Sequence, residues 1–445
     1  MEALLSSGNV ENEFLIGNLK YGLDPQGSYV QERVNTTTFS NVNSASPSGV
    51  KMITINIGSS STWLDPQTVL LSMLITNTDT VNSLWPATVG AHCLFDSVTI
   101  RMGSTEVERI DQFGKLTEIM TKYSMSPQKR MEVGMLGFGT QVKATNPNMY
   151  LTSQHDARPI PPGGSKRIYM KFELLGCCST HRWWPLFSLG GMGASFQIAL
   201  APASSAMILS DAGTTYSSGY VLSDIRLLAD MITLSGELQE SFNAALLNGT
   251  SLKMPIKSWE TLVNYLPADS GGNIDIAMSK NYTRLATMFA IFNQAEDPNY
   301  AGKSKRVNSS YFPTASSETF EYALHMGSER MPANDVRGTS EAWYRLQGAL
   351  GVYNSLAHST SIDEDSYKSD NFLLSVDTER LPHLMASGKN LSTGQTIFLK
   401  CKNMGSTIPV AGVVNTTTDV PRIATICAHF EKIISIQDTV VDVFE

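Results

Sequence analysis

A weak internal duplication constrains the fold of this chain more than any other feature of its sequence. Residues 101–106 (Arg-Met-Gly-Ser-Thr-Glu) recur as residues 325–330 (His-Met-Gly-Ser-Glu-Arg), and a segment with one apolar helical face follows each copy. Two further short matches keep the same order at a similar offset. They pair 68–73 with 283–288 and 168–171 with 397–400. Because repetition at a near-constant spacing marks a unit that is built more than once, the sequence predicts two similar domains in tandem.

Most patterned segments of the chain have the character of strands. Residues 52–57 (Met-Ile-Thr-Ile-Asn-Ile) alternate apolar and polar side chains, which is typical of a half-buried strand. Further short β-rich runs are bounded by Gly, Pro, Asn and Asp, and only a few helical stretches interrupt them. These runs lie at 69–75, 93–102, 168–174, 196–200, 220–234, 252–256, 260–266, 274–278, 285–292, 320–326, 372–376, 396–401, 423–430 and 433–444. The pattern predicts an all-β sandwich or barrel in each half.

The segments between these runs indicate where the domains meet. Residues 1–48 are polar and weakly patterned, so we expect an extended N-terminal arm. Residues 235–249 begin with Ser and end with Asn-Gly, which is typical of a capped helix. We therefore predict an arm over 1–48, a first sandwich over 49–234, and a linker helix with a second sandwich over 235–445.

Composition and charge exclude several classes of function. The chain has 445 residues and a formal net charge of −8, and it lacks the basic stripe that binding to nucleic acid requires. We therefore expect no direct contact with nucleic acid. Only 17% of the residues are charged and 42% are hydrophobic, which fits large cores and an outer surface that is partly covered by other protein. The first seven residues have neither a basic nor an apolar region, so we expect no secretion signal.

The cysteines do not have the spacing of metal sites. They are odd in number: Cys93, Cys177, Cys178, Cys401 and Cys427. The simplest interpretation is a reducing compartment and free, buried thiols. Cys177, Cys178 and His181 do not make a tetrahedral site, because adjacent cysteines cannot readily share one ion and no fourth ligand lies nearby in sequence. We predict no metal, no cofactor and no catalytic residue.

Two tandem β-sandwiches, each with a helix after its middle strands and joined by one helix, resemble a known family. They are similar to the double jelly-roll major capsid proteins of the adenovirus, tailless-phage, polinton-like and large DNA virus lineage. The residues that carry the resemblance are the Met-Gly-Ser strand ends at 102–104 and 326–328 and the junction at 222–234. The resemblance covers residues 50–445 and is architectural. It implies an all-β chain of two tandem eight-stranded jelly-roll β-sandwiches with short inserted helices and a helical linker.

The resemblance also implies a function and partners. It implies a structural protein of the virion, a viral major capsid protein without catalysis. Homotrimers of this protein would form pseudo-hexagonal capsomers and tile an icosahedral shell. The implied partners are further copies of the chain, in the trimer and in neighbouring capsomers, together with penton and minor capsid proteins. The N-terminal arm would lie on the inner face, against neighbouring capsomers, a minor protein or an internal membrane.

Two other function classes stay open from the residues alone. A carbohydrate-binding or adhesive β-sandwich protein could stack sugars on the aromatic side chains of 181–187 and bind Ca²⁺ through the acidic residues 363–365. The second is a two-domain β enzyme of the bicupin or hydrolase type, and cupins need clustered His and Glu on neighbouring strands. The seven histidines are instead scattered, at 92, 155, 181, 325, 358, 383 and 429.

The segment 181–187 (His-Arg-Trp-Trp-Pro-Leu-Phe) is the most unusual part of the sequence. Adjacent side chains of a strand point to opposite faces, so Trp183 and Trp184 cannot both face inward. An exposed Trp beside Arg182 is typical of an interface anchor, because Trp and Arg dominate binding hot spots. The alternative is a loop that folds both rings over its own core. Our candidate interface residues are Arg182, Trp183, Trp184 and Phe187.

Overall fold

The computed structural model describes most of the chain. The described residues are 29–140, 157–211, 214–266, 273–278, 280, 282–294, 319–353, 360, 362–364, 367, 371–380, 387–391, 396–404, 422–437 and 440–445. Residues 1–28 of the predicted arm, Asp365 and the histidines at 155, 358 and 383 lie outside these ranges.

Strands dominate the described residues of both halves. In the first half they are β1 (Val30–Phe39), β2 (Ser44–Ala45), β3 (Met52–Ile57), β4 (Trp63–Asn77), β5 (Trp85–Pro86), β6 (Phe95–Met102), β7 (Thr105–Asp111), β8 (Ser165–Lys171), β9 (Trp184–Pro185), β10 (Ala194–Leu200), β11 (Met207–Ile208), β12 (Ser210–Asp211), β13 (Thr214–Thr215) and β14 (Tyr220–Leu234). In the second half they are β15 (Leu252–Leu266), β16 (Ile274–Met278), β17 (Leu285–Gln294), β18 (Glu321–Met326), β19 (Glu329–Arg337), β20 (Leu373–Asp377), β21 (Ile397–Lys402), β22 (Arg422–Gln437) and β23 (Val440–Phe444).

The helices are short and lie between the strands. They are α1 (Phe113–Ser124), α2 (Pro127–Leu136), α3 (Gly176–Ser179), α4 (Ala203–Ala206), α5 (Gly236–Leu247) and α6 (Gly338–Ala349). None of the helices in the described ranges is both long enough and apolar enough to span a lipid bilayer.

Each half contains two antiparallel sheets of the same design. The first half has one sheet in the order β1-β14-β4-β8, with β2 paired to β14 and β9 paired to β4, and a second sheet in the order β3-β10-β6-β7. The second half has the orders β15-β22-β17-β20, with β23 on β22, and β16-β21-β18-β19. If the eight main strands of each half are numbered in chain order, both halves give sheets 1-8-3-6 and 2-7-4-5. This is the jelly-roll connectivity, so the prediction of two tandem eight-stranded jelly rolls is confirmed.

The strongest of the three sequence matches is the same turn in each roll. Residues 101–106 join β6 to β7, and residues 325–330 join β18 to β19, the fourth and fifth main strands of their rolls. The turn glycines Gly103 and Gly327 have φ angles of 60° and 58°. This left-handed conformation costs glycine little, which explains why the Met-Gly-Ser motif occurs twice. Helices α1 and α6 follow the two hairpins, as predicted.

The other two matches have different outcomes. Residues 68–73 and the end of 283–288 fall on β4 and β17, which are the third main strands of their rolls. The match of 168–171 with 397–400 is wrong, because β8 is the sixth main strand and β21 is the seventh. Alternating strands that end in Lys look alike in sequence wherever they lie in a sheet.

The predicted arm is too long, because the first roll begins before residue 49. Strand β1 pairs with β14 along its length, from Val30 opposite Leu234 to Phe39 opposite Arg226. Most side chains of β1 are exposed, and the strand lies at the edge of its sheet. It therefore lacks the apolar alternation by which a strand is found in sequence. The division at 234/235 stays a prediction, with β14 ending at Leu234 and Ser235 at the N-cap of α5.

Two prolines mark further differences from the predictions. The runs 252–256 and 260–266 form one strand, β15, in which Pro255 is tolerated because β15 is an edge strand. Pro127 ends the α1 segment, as expected, but it also begins α2, where the Ser126 side chain accepts a hydrogen bond from the Lys129 backbone N–H. The sequence gives no apolar helical face for α2, because only Gly134 of that helix is buried.

The Gly-Gly-Met-Gly turn before β10 provides a test of the fold. We predict that Gly193→Ala lowers the free energy of unfolding by about 2–3 kcal/mol. A Cβ at this residue would lie 2.1 Å from the Ile57 carbonyl oxygen, and φ is +62°. Urea unfolding measures the change. Gly191→Ala is the matched control, since a Cβ there meets no atom within 4 Å. Equal losses in both variants would contradict the prediction.

Candidate functional site: the seam between the rolls and the segment 181–187

The two rolls pack against each other along an internal surface, which we name the seam. Elements β7, α1 and α3 of the first roll lie against β15 and β22 of the second. Buried apolar side chains of both rolls form one continuous core cluster. The seam therefore determines how the rolls are oriented relative to each other.

A buried carboxylate lies at the centre of this seam. Glu108 on β7 is 0% exposed and accepts hydrogen bonds from the backbone N–H groups of Gly176 and Cys177, both at 2.9 Å. Its third donor is the Ser258 hydroxyl on β15 of the second roll, at 2.8 Å. Within the part of the chain that the structure describes, no Lys or Arg forms an ion pair with Glu108. Burial raises the pKa of Glu108, and the hydrogen bonds from Cys177, Gly176 and Ser258 counter part of that rise.

The backbones of the two rolls also approach each other closely beside Glu108. A Cβ built on Gly176 would lie 2.1 Å from the Lys257 carbonyl oxygen of the second roll. Only glycine fits this position without a shift of the backbone. Nearby, the Thr261 hydroxyl donates to the Asp111 carbonyl oxygen at 2.8 Å, which ties β15 to the end of β7.

Helix α1 continues the seam toward the middle of the second roll. The Lys115 ammonium group donates to the Thr425 hydroxyl on β22 at 3.1 Å, and burial lowers the pKa of Lys115 to about 8. The Tyr123 hydroxyl at the other end of α1 donates to the Asn371 carbonyl oxygen. Its ring lies 6.3 Å from the Trp343 ring on α6. The helix that follows the middle strands of the first roll is therefore a contact element between the rolls.

A buried charge network holds α1 against the rest of the first roll. Glu118 on α1 is 1% exposed, and its carboxylate contacts the His92 ring at 2.8 Å and the Arg130 guanidinium of α2. Burial alone would raise the pKa of Glu118, but the charge of Arg130, together with the hydrogen bond and charge of His92, outweighs burial and lowers it. This network fixes α1 against the first roll, so that its far side can contact the second.

The candidate interface residues divide into three environments. Trp184 is 0% exposed, its ring is stacked on Phe196 at a centroid distance of 5.9 Å, and its indole N–H donates to the Cys177 carbonyl oxygen at 3.3 Å. Trp183 and Phe187 are half-buried, and Arg182 is exposed. Trp184 is thus enclosed in the core of its own chain, and only the other three candidates reach the surface.

Trp183 and Phe187 belong to a second, smaller apolar cluster, which we name the linker patch. It is centred on Trp63, whose ring contacts Phe187 at 5.2 Å and Phe242 of α5 at 5.1 Å. The Trp63 indole N–H donates to the Gln239 side-chain oxygen at 2.9 Å. The patch consists of Trp63, Ile232 and Leu234 with the half-buried Val30, Trp183, Phe187, Leu238, Phe242 and Leu252. It fixes the linker helix to the first roll.

The sequence signals for chemistry have simple structural explanations. All five cysteines are free and buried, as predicted. Cys177 and Cys178 lie in α3, whereas His181 is exposed and contacts the Gln67 side chain at 3.0 Å. Burial raises the pKa of both thiols well above the usual range. Among the described residues, no three His, Cys, Asp or Glu side chains are grouped so that they could hold a metal ion.

Sequence reasoning missed the residues that form the seam. Glu108 lies in a strand with Glu106, Arg109 and Asp111, and charged residues are normally assigned to the solvent face, so Glu108 gave no signal. Gly176 and Ser258 are small residues of common types, and their shared partner Glu108 joins segments that are distant in the chain. Of the elements at the seam, only the helix at 113–123 is predicted from the sequence. Its apolar face and its place after the repeated motif indicate it.

We predict that Glu108 and Ser258 stabilise the chain through a shared hydrogen bond. Glu108→Gln should lower the free energy of unfolding by about 2–4 kcal/mol, because an amide NH₂ then faces backbone donors. Ser258→Ala should cost about 1–2 kcal/mol. The double variant should lose about 1 kcal/mol less than the sum of the two, as measured by urea unfolding of all four proteins. Strict additivity would show that the two rolls are not coupled through this bond.

The segment 181–187 gives a graded prediction. Trp184→Ala should lower the free energy of unfolding by about 3–5 kcal/mol, because it leaves a cavity in the core. Arg182→Ala, in the same segment, is the matched control and should change it by less than about 0.5 kcal/mol, since its side chain is exposed. Circular dichroism during thermal unfolding measures both. A stable Trp184→Ala protein would contradict the burial of this ring.

Comparisons with known proteins agree with this architecture. No protein-family model and no curated protein matches the sequence. Among solved structures, PBCV-1 VP54, in a crystal structure fitted into a reconstruction of the virophage Sputnik, has a TM-score of 0.61 at 11% identity, covering 96% of this chain and 99% of that chain. The Sputnik virophage structure has a TM-score of 0.60 at 8% identity, covering 97% and 91%. The Faustovirus major capsid protein has a TM-score of 0.58 at 9% identity, covering 96% and 94%.

These similarities extend over nearly the whole chain at very low identity, so they concern the fold. Both rolls and the linker are included, because each comparison covers 96% or 97% of the chain. The chain has the double jelly-roll fold of viral major capsid proteins, as its sequence resemblance predicted.

Proposed function

We propose that this protein is a viral major capsid protein that trimerises into pseudo-hexagonal capsomers and tiles an icosahedral shell. The observation that carries the proposal is the pair of jelly rolls with the same connectivity, held by the Glu108 seam. A trimer of such chains presents six rolls around one threefold axis. Six similar units in a ring have a nearly hexagonal outline, and hexagons tile a flat facet.

The surface supports lateral association. Few residues are charged, so capsomers meet with little repulsion and little desolvation of ions. Large apolar side chains are exposed singly on several elements, including Tyr265 at the end of β15 and Phe39 at the end of β1. On α6, Tyr344 is exposed and its ring packs edge-on against that of Tyr353 at 4.9 Å. Many modest contacts of this kind add up in a lattice through multivalency.

The finer parts of the function rest on the resemblance. In this proposal the protein resides in the virion after synthesis in the host cell without a secretion signal, and it performs no catalysis. Penton proteins, minor capsid proteins and an internal membrane are its further partners, and it makes no direct contact with nucleic acid. The proposal includes an interface role for Arg182, Trp183, Trp184 and Phe187. Because Trp184 is buried, it supports the other three from within the core and does not contact a partner itself.

The mass and shape of the purified protein test the proposal. We expect light scattering after size-exclusion chromatography to give three times the chain mass of 48.6 kDa, or larger shells. Negative-stain electron microscopy of the same fraction should show six-sided particles. These measurements need no partner, because the trimer contains one kind of chain only.

Two results would overturn the proposal. A stable monomer that is retained on a glycan column would favour the carbohydrate-binding alternative. One tightly bound metal ion per chain together with turnover of a small molecule would favour an enzyme. A glycan array and elemental analysis of the same preparation distinguish these outcomes.

A further inference from the structure

In the second roll, the outer face of the larger sheet is covered by the first roll. The Lys115 ammonium group of α1 donates to the Thr425 hydroxyl at 3.1 Å, and that hydroxyl donates to the Gln112 side-chain oxygen at 3.4 Å. Thr425 lies on β22, in a group of four outer residues that are each at most 1% exposed. We name this group the covered face, and its residues are Phe289, Ile291, Thr425 and Cys427. Helix α1 of one roll thus closes a sheet of the other.

The equivalent face of the first roll lacks this cover within the described ranges. On β4, Leu71, Met73 and Ile75 are 0% exposed and point into the core, so the residues between them lie on the outer side. The match of 68–73 with 283–288, on the third main strands, relates these outer residues to those of β17. The equivalents of the covered face are Leu74, Thr76, Val221 and Ser223. We name them the open face, because all four are half-buried.

Helix α6 is the counterpart of α1, and it is far less buried. Each helix follows the fifth main strand of its roll, and the turn into it contains a left-handed residue, Gln112 with φ 49° or Gly338 with φ 70°. Both helices have twelve residues, of which nine are buried on α1 and four on α6. Counted from the left-handed residues, Glu341 takes the place of Lys115, and Arg345 lies one turn further on. The side chains of Glu341 and Arg345 are 38% and 45% exposed.

The open face and α6 are the two halves of a contact that the seam already contains once. In the described chain, α1 has a sheet to cover, whereas α6 and the open face remain exposed on different rolls. A second copy of the chain supplies both missing halves. A contact between unlike surfaces of identical chains continues from copy to copy until it closes into a ring.

We propose that α6 of one chain packs on the open face of a second copy, in the way that α1 packs on the covered face within one chain. Six rolls of three chains then alternate around the ring, and each roll contributes one helix and receives one. This inference rests on the trimer of the proposed function and specifies the two surfaces that form it.

Photo-cross-linking of the full chain tests which surface α6 contacts. Benzoyl-phenylalanine replaces Arg345, and the irradiated protein is separated on a denaturing gel. Bands of two and three chain masses are then digested and analysed by mass spectrometry. We expect cross-links from position 345 to residues 70–76 and 220–228 of another chain. The same probe at Met192, which is 72% exposed on a turn of the first roll, is the control and should not label these strands.

The outcomes separate this inference from the proposed function. A trimer whose cross-links from position 345 lie on other surfaces would overturn the inference alone. A wild-type chain that stays a monomer in light scattering would overturn both proposals.

A bulky charge on the open face gives a second readout. Thr76→Arg should raise the dissociation constant of the trimer at least about tenfold, because the long side chain occupies the place of α6. Light scattering over a dilution series measures it. Thr54→Arg is the matched control, since Thr54 is half-buried on β3 of the other sheet, and it should leave the trimer intact. Equal dissociation of both variants would contradict the inference. Cooperative unfolding in circular dichroism checks that the rolls remain folded, and the cross-links decide alone if Thr76→Arg does not fold.

Discussion

The relative placement of the two rolls depends on one buried carboxylate. Glu108 is fully enclosed, and its three hydrogen-bond donors come from both rolls. If the rolls shifted while Glu108 stayed buried, its carboxyl group would lose the Ser258 donor without water to replace it, which is unfavourable. The two rolls must also fit in shape, because the Gly176 and Lys257 backbones approach each other closely. The seam therefore holds the two β-sandwiches at a single mutual orientation.

The fold was largely predictable because jelly rolls leave local marks. The alternation at 52–57, the turn glycines at 103 and 327 and the Ser-to-Asn-Gly helix at 235–249 are each determined by short-range backbone preferences. Strand β1 could not be found, because an exposed edge strand has no apolar alternation. The pairing of 168–171 with 397–400 failed for a related reason. Strand patterns encode which face is buried, but not which neighbour a strand pairs with.

The candidate site was predictable only in part. Residues 183 and 184 do face different environments, as alternation requires, but the sequence could not say that Trp184 packs on Phe196 within the core. The seam could not be predicted at all, because Glu108 and Ser258 are 150 positions apart and neither residue type is unusual on its strand. Contacts between the rolls depend on how the surfaces of two folded domains fit together. The sequence encodes this fit in many residues, each of which gives only a weak signal.

The five cysteines have a consequence for the environments that the chain can tolerate. Each thiol is buried and unpaired, and burial raises the pKa of Cys93 and Cys427 to about 12. Oxidants react with the exposed thiolate form, which is nearly absent at these positions. Transfer from the glutathione-rich interior of a cell to the oxygenated exterior should leave the covalent structure of the folded chain unchanged. The stability of the folded chain then comes from noncovalent contacts, with no sulfur cross-link to form or to lose.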